Sequence, residues 1–385
     1  MKAFNGYSTN ADPVAAGYEA AKKAGNAKTA KLVFAYTSCD YDTAKVIDGI
    51  RKYYDCPIIG NTSFTGVIVP DGYISGENGF VGIMTIAGSD VKATVACVKK
   101  TNQTQNAVKL GEQVANKALK DFDGTPSAMY MVASPTEEEF YLKGISNVVG
   151  RIPMFGGSCA DNTISGNWKL YANDTITSEG VAVAFISGDA KMTNVFTGAY
   201  RETEDMGIIT KVNGNRTLVE IDHQPALKVY AKWRKLKPKA LFGGNLLSES
   251  ITSPLGVKDR LGDLVAIRHP MNGNKDLSMN IGNQLTVGTC VVRMEASVDE
   301  LIKSVEKTIK TLNKKAGTPV FYHLVHCGGR RAGIGDRIEE VYKATKKATN
   351  GVPFIMEFTF GEYGFEQDGR NTCGGLMLSF TAFSK

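Results

Sequence analysis

Apolar and polar positions along this chain fall into blocks, and the blocks recur. A strand-length apolar run is followed by a polar turn, a segment with helical spacing, and a proline that opens a second apolar run closing on glycine. This succession occurs at residues 30–66, 127–162 and 319–364. The two element types separate by period, because a helix buries every third or fourth side chain whereas a strand buries alternate ones, or all of them when both faces are covered. Amphipathic helical patterns precede the three copies at residues 12–25, 91–124 and 288–317, the last two after a strand pattern. Pro13 suits a first helical turn, and Gly25, Gly124 and Gly317 stand where a helix end takes a residue tolerant of positive φ. A hairpin-like pair follows each copy and ends in a mostly apolar strand, at 79–88, 180–188 and 375–383.

Strands alternating with helices predict an α/β fold, and the trailing hairpins add antiparallel strands. The expectation is therefore mixed sheets flanked by helices, with three copies of a β-α-β-α-β-hairpin unit. Residues 190–286 have no counterpart in that internal repeat. They read as β-rich, with hairpins turning at the Asn-Gly-Asn triplets 213–215 and 272–274, one helix at 224–235 and a glycine-rich connector at 241–257. Two units then make an N-terminal domain, 1–195, and a β-rich insertion (196–286) with the third unit makes a C-terminal domain, 196–385.

Composition narrows the class. With 385 residues, 43% hydrophobic and 22% charged, the chain is globular and long enough for two or three cores. The net charge of +6 is mild, and the main basic cluster, 228–239, interleaves Val229, Tyr230, Trp233 and Leu236 with its charges, as a solvated helix face does. No nucleic-acid motif accompanies it. The seven cysteines (Cys39, Cys56, Cys97, Cys159, Cys290, Cys327, Cys373) are scattered without a CxxC pair, which argues against a zinc ribbon, a thioredoxin-type centre or a disulfide framework. Reduced thiols in a cytoplasm are expected. The N-terminal stretch has no signal-like apolar core and no run approaches the roughly 18 apolar residues of a membrane span, so no membrane partner is expected.

Candidate chemistry lies at strand ends. "HCGGRRAGIG" at 326–335 resembles a cysteine phosphatase loop, but Gly333 stands where that loop needs its arginine. "GIGDRI" has two of the three glycines of a dinucleotide fingerprint, with Ile338 in place of the third. No GxxxxGK[ST], GxSxG or HExxH is present. Of the four histidines, His323 and His326 are three apart on a strand and should face opposite ways, which makes no metal pair. In open α/β sheets ligands bind beyond the carboxyl ends of strands. Those ends carry Asn61, Thr62 and Ser63 in the first copy, Ser158 and Asp161 in the second, and Cys327, Arg330 and Glu362 in the third. Gly361 and Gly364 allow the sharp turn that brings Glu362 to its strand end.

Several motifs together carry a resemblance. "LVFAYTSCDYDTAKVIDGIRKYYDCPIIGNTSFTGVIV" is similar to the opening of the N-terminal FIST domain. "HQPALKVYAKW", "SPLGV", "LVAIRHP", "HCGGR" and "FTFGEYG" follow in the order of the C-terminal FIST domain. The resemblance implies a sensory protein of signal transduction that binds a small ligand, such as an amino acid, and is not an enzyme. The repeats and insertion use up the chain, so the signal is expected to leave through a partner protein in trans. Arg330, Glu362 and, from the insertion, Arg268 are expected to converge on one cleft, where a planar guanidinium fork and a carboxylate suit an amino-acid-like zwitterion. A structural Arg330–Glu362 ion pair is the alternative for those two residues. No cofactor is required, although a haem-binding gas sensor held by one of the histidines remains a second reading and a Cys327-dependent enzyme a third.

Overall fold

A computed structural model describes residues 1–259, 261–262, 264–365 and 371–385. The chain begins with β1 (Lys2–Ser8), α1 (Pro13–Lys23), β2 (Ala30–Thr37), α2 (Thr43–Arg51), β3 (Ile58–Thr62), β4 (Val67–Val69), β5 (Gly72–Ile74) and β6 (Val81–Ala87). Next come β7 (Lys92–Lys99), α3 (Ala107–Lys120), β8 (Ala128–Ala133), α4 (Glu138–Val149), β9 (Met154–Ser158), β10 (Leu170–Ala172), β11 (Thr175–Thr177), β12 (Gly180–Ser187) and β13 (Lys191–Thr197). The insertion holds β14 (Arg201–Asn213), β15 (Thr217–Ile221), β16 (Gln224–Pro225), α5 (Ala226–Trp233), α6 (Asn245–Ser250), β17 (Leu255–Lys258), β18 (Leu264–Arg268), β19 (Pro270–Gly273), β20 (Met279–Ile281) and β21 (Cys290–Glu295). The remainder is α7 (Val298–Ala316), β22 (Pro319–Cys327), α8 (Gly328–Ile334), α9 (Ile338–Thr349), β23 (Phe354–Thr359), β24 (Glu362–Phe365), β25 (Asn371–Gly374) and β26 (Leu378–Ser384).

Local chemistry starts the helices where the sequence suggests. Asp12 accepts from the Ala15 amide ahead of Pro13, and Ser297 with Glu300 forms a reciprocal capping box on α7. Helix α3 approaches α4 so closely that a Cβ on Gly144 would stand 1.9 Å from the Val108 carbonyl oxygen. Glycine at that position is therefore a packing requirement, although it weakens a helix by itself.

Three six-stranded sheets share one strand order, β1-β6-β2-β3-β10-β11, β7-β12-β8-β9-β24-β25 and β13-β26-β22-β23-β4-β5. In each, the third and fourth strands are parallel and all other neighbours antiparallel, which makes the fold α/β with mixed sheets. The last two strands of every sheet come from elsewhere in the chain. Hairpin β4–β5 joins the third sheet through Met356↔Ile68, β10–β11 joins the first through Leu170↔Asn61, and β24–β25 joins the second through Glu362↔Gly157. The insertion forms a fourth sheet in the order β18-β17-β21-β14-β15-β20-β19, with β16 beside β15.

The inner faces of the first three sheets meet in one core containing Phe34, Tyr36, Tyr130, Phe155, Phe321, Ile355 and Phe383. Just past the parallel strands a ring of backbone bonds closes the junction. Ala160 N donates to Thr62 O at 2.9 Å, Phe360 N to Ser158 O at 3.2 Å, and Phe64 N to Phe358 O at 2.9 Å. Each sheet thus binds the next, and strand ends that would otherwise face water are consumed. Among the described residues no helix is long and apolar enough to cross a membrane.

Candidate functional site

Two groups of buried polar side chains lie near this ring, one inside the core and one at the edge facing the insertion. The edge group holds four of the residues expected at a site. Ser158 N donates to Gly361 O at 2.8 Å, and Ser158 Oγ lies 3.1 Å from Glu138 Oε1 and 2.8 Å from Tyr363 Oη. Glu362, fully buried, accepts from Thr359 Oγ1 and from the Met377 amide, both at 2.9 Å. Burial pushes its carboxyl up to about 8 against the pull of Met377, Thr359, Cys327 and Arg330. The Cys327 thiol accepts from the Gly329 amide at 3.3 Å, and burial with the neighbouring Glu362 raises its pKa, so it rests as a thiol.

The two arginines are held apart from that carboxylate. Arg330 belongs to α8, not to an open turn, and its fully buried guanidinium donates to Gly198 O at 2.6 Å, Leu301 O at 3.2 Å and Ser304 Oγ at 2.6 Å. It also lies over the Tyr200 ring at 5.6 Å, and its Nε has no partner. Among the described residues no carboxylate lies within 4.0 Å of the Arg330 guanidinium, so the alternative of a direct Arg330–Glu362 ion pair is not formed. The reason is topological: β24 leaves β23 to pair with β9, carrying Glu362 into another sheet. Arg268 is likewise bonded to carbonyls alone, those of Gln284, Ile267 and Cys373 at 3.1 to 3.2 Å.

Charge pairing at this edge is done by a residue the sequence did not single out. Arg216, in the β14–β15 turn, places Nη2 2.7 Å from Glu138 Oε2 and 2.6 Å from Glu139 Oε2, while Nη1 donates to Gly282 O. Gln284 N adds a 2.9 Å bond to Glu139. The fork ties the insertion to the start of α4. Paired acids ahead of a helix are a common dipole-complementing pattern, so nothing in "TEEEF" announced a buried Glu138.

The first-copy residues do other work. Thr62 Oγ1 bonds both the Lys169 amide and carbonyl, and Ser63 Oγ donates to Gly66 O at 2.7 Å and accepts from Phe358 N at 2.9 Å. Both hydroxyls thereby brace backbone. Asp161 gathers the amides of Thr163, Ile164, Ser165 and Asn167 into a tight loop. Asn61 points into the core, where its Nδ2 is 3.0 Å from Glu357 Oε2. Tyr130 Oη lies 3.0 Å from both Asn61 Oδ1 and Glu357 Oε1, and Tyr36 Oη lies 2.5 Å from His323 Nε2. The sequence signal for this group is Glu357 itself, the one acid in the apolar strand "PFIMEF". Burial takes Glu357 up to about 7 and His323 down to about 3. Among the described residues no cluster of His, Cys, Asp and Glu could hold a metal ion.

Comparison with known proteins identifies both halves of the chain. A model described as the FIST N domain matches residues 31–224, and one described as the FIST C domain matches residues 226–364. No curated protein matches. Among solved structures, a cyanuric acid hydrolase from A. caulinodans aligns over 100% of this chain and 99% of its own at 8% identity with a TM-score of 0.39. PurL from T. maritima complexed with AMPPCP aligns over 99% of this chain and 72% of its own, at 8% identity and a TM-score of 0.24. At such scores neither likeness carries an argument about activity.

Proposed function

The chain belongs to the FIST family through both its N and its C domain, and from that premise we propose that it binds a small ligand without turnover and passes the signal to a partner protein in trans. FIST domains are small-ligand sensory domains of signal transduction. The observation that carries the reading is two buried groups without a matching charge: Arg330, whose guanidinium meets only neutral acceptors and keeps an unpartnered Nε, and Glu362, not ion-paired with it and held mostly protonated at neutral pH. A buried cation without an anion costs several kcal/mol, which a ligand carboxylate offsets by accepting from the unpartnered Nε of the guanidinium. A ligand ammonium does the same for ionised Glu362. An amino-acid-like zwitterion supplies both, with Arg268 closing the insertion side and Cys327, Ser158 and Gly361 lining the wall. The reading is without turnover because burial keeps Cys327 a thiol, the less nucleophilic form. All seven cysteines are unpaired, in keeping with a cytoplasmic protein.

The test is a thermal-shift and calorimetric screen of amino acids and related zwitterions on the full chain. A ligand at about 100 times its Kd raises stability by roughly 2.7 kcal/mol. Because the ammonium needs Glu362 ionised, affinity should rise with pH through about 8 and level off only about one unit higher. It should be about tenfold weaker at pH 7 than at pH 9, since apparent affinity scales with the competent fraction. Glu362→Gln should abolish that dependence, and Arg330→Lys should weaken binding. A stabilising ligand indifferent to both substitutions, or a screen with no stabilising zwitterion, would sink the reading.

A further inference from the structure

The core group stands apart from that edge and has its own logic. Asn61 on β3, Tyr130 on β8 and Glu357 on β23 come one from each of the three six-stranded sheets, and all three are fully buried. They form a closed triangle of 3.0 Å contacts: Asn61 Nδ2 to Glu357 Oε2, Glu357 Oε1 to Tyr130 Oη, and Tyr130 Oη to Asn61 Oδ1. The direction of each bond follows from counting hydrogens. The Asn61 amide also reaches Thr62 O at 3.1 Å, which fixes its nitrogen on the donor side. Tyr130 has one hydroxyl hydrogen for two oxygen neighbours. If Glu357 carries a proton on Oε1, that proton goes to Tyr130 Oη, the Tyr130 hydrogen goes to Asn61 Oδ1, and the Asn61 amide goes to Oε2. Every acceptor is then served. If Glu357 is ionised, the Tyr130 hydrogen must turn to the carboxylate, and Asn61 Oδ1 loses its donor inside the core.

We infer that this triangle is a proton-binding site, which gives the protein a second input, the acidity of its surroundings, sensed where its three sheets join. The surroundings supply no competing charge. The titratable groups facing Glu357 are Tyr36 from β2, Tyr130 from β8, Tyr171 from β10 and His323 from β22, and burial holds all four neutral by raising the tyrosines and lowering the histidine. His323 Nε2 stands 3.9 Å from Glu357 Oε1 across the Tyr36 hydroxyl, and its Nδ1 has no partner. Around the group lie Phe34 and Phe155, both within 5.3 Å of the Tyr130 ring. Ionising Glu357 therefore places a charge with no countercharge, though hydrogen-bonded by Asn61 and Tyr130, and an orphaned amide oxygen in an aromatic core, and the junction of the sheets loosens. With the carboxyl held near 7, that change falls in the neutral range.

Glutamine at 357 mimics the protonated acid, because its amide can donate to Tyr130 while its oxygen accepts from Asn61. Two measurements on the full chain test the inference, with Glu362→Gln as the control for the other raised carboxyl. In carbon-13 NMR of glutamate-labelled protein, a buried carboxyl should titrate near pH 7, persist in Glu362→Gln and vanish in Glu357→Gln. Amide hydrogen exchange of 58–62, 128–133 and 354–359, corrected for intrinsic rates, should accelerate as pH rises through 7 in the wild type and stay level in Glu357→Gln. A Glu357 carboxyl that titrates in the ordinary carboxylate range overturns the inference, and the wild-type spectrum decides this even if the variant does not fold. Identical exchange profiles in wild type and Glu357→Gln also overturn it.

Discussion

Replacing Arg216 by methionine unpairs two carboxylates at once while keeping much of the side chain's apolar length. The Arg216 side chain is 14% exposed and that of Glu138 only 2%, so water cannot fully take over. At 2.7 Å and an effective dielectric of about 20, the gross attraction to one carboxylate is about 6 kcal/mol, most of it spent on desolvating both charges. Removing one partner of a buried pair costs 3–5 kcal/mol in general. The partial exposure of Arg216 and Glu139 sets the expectation here at about 3 kcal/mol at pH 8. The loss must depend on pH. Burial already raises the Glu138 carboxyl and Arg216 opposes it, so without the arginine the folded pKa climbs further above the unfolded value. A raised folded pKa stabilises below the unfolded one and loses that contribution as pH rises, so the deficit should be largest at pH 8 and shrink toward pH 5. Urea unfolding followed by the fluorescence of Trp168 and Trp233 measures it, and Arg216→Met combined with Glu138→Gln should recover part of the loss. A deficit under about 1 kcal/mol at pH 8, or one that does not change with pH, would refute the buried-fork account.

Two further outcomes are expected. Gly144→Ala should destabilise by about 1–3 kcal/mol in thermal unfolding although alanine is the better helix former, because its Cβ meets the Val108 carbonyl; an unchanged or raised Tm would mean that α3 and α4 do not touch there. Iodoacetamide on the native chain should label the partly exposed Cys39, Cys56 and Cys290 and leave Cys327 unmodified until urea is added, and early adducts at Cys327 by peptide mass mapping would contradict its resting thiol state.

The α/β class was legible because period and strand length survive in the sequence whatever the strands pair with. Pairing itself was not. The hairpin 67–74 follows β3 directly, yet Ile68 lies against Met356 in another sheet. Its apolar pattern is the same for either partner, so no local signal selects one. The same transfer explains the site. Cys327, Gly361 and Glu362 were expected together and are close, but Arg330 and Glu362 were placed in one cleft by assuming that Glu362 stays beside β23. Asn61 was singled out as a strand-end group, whereas strand alternation turns it inward onto Glu357. Arg216 and Glu138 escaped notice because a salt bridge between a turn and a helix start many residues away leaves no spacing to detect.

The exchange of hairpins among sheets has a consequence for how the chain is made. Only the first six-stranded sheet can be completed before the insertion is synthesised, since the second awaits residues 362–374 and the third awaits 319–327, 354–359 and 378–384. A nascent N-terminal half must therefore hold β4 and β5 without neighbours on the β23 side and β9 with an open edge, the situation in which exposed strands pair with the wrong chain. Severing the chain between the two matched domains, near residue 225, should yield fragments that are insoluble when expressed apart and recover only when produced together. The boundary between the two matched domains thus divides strands that the folded sheets hold together.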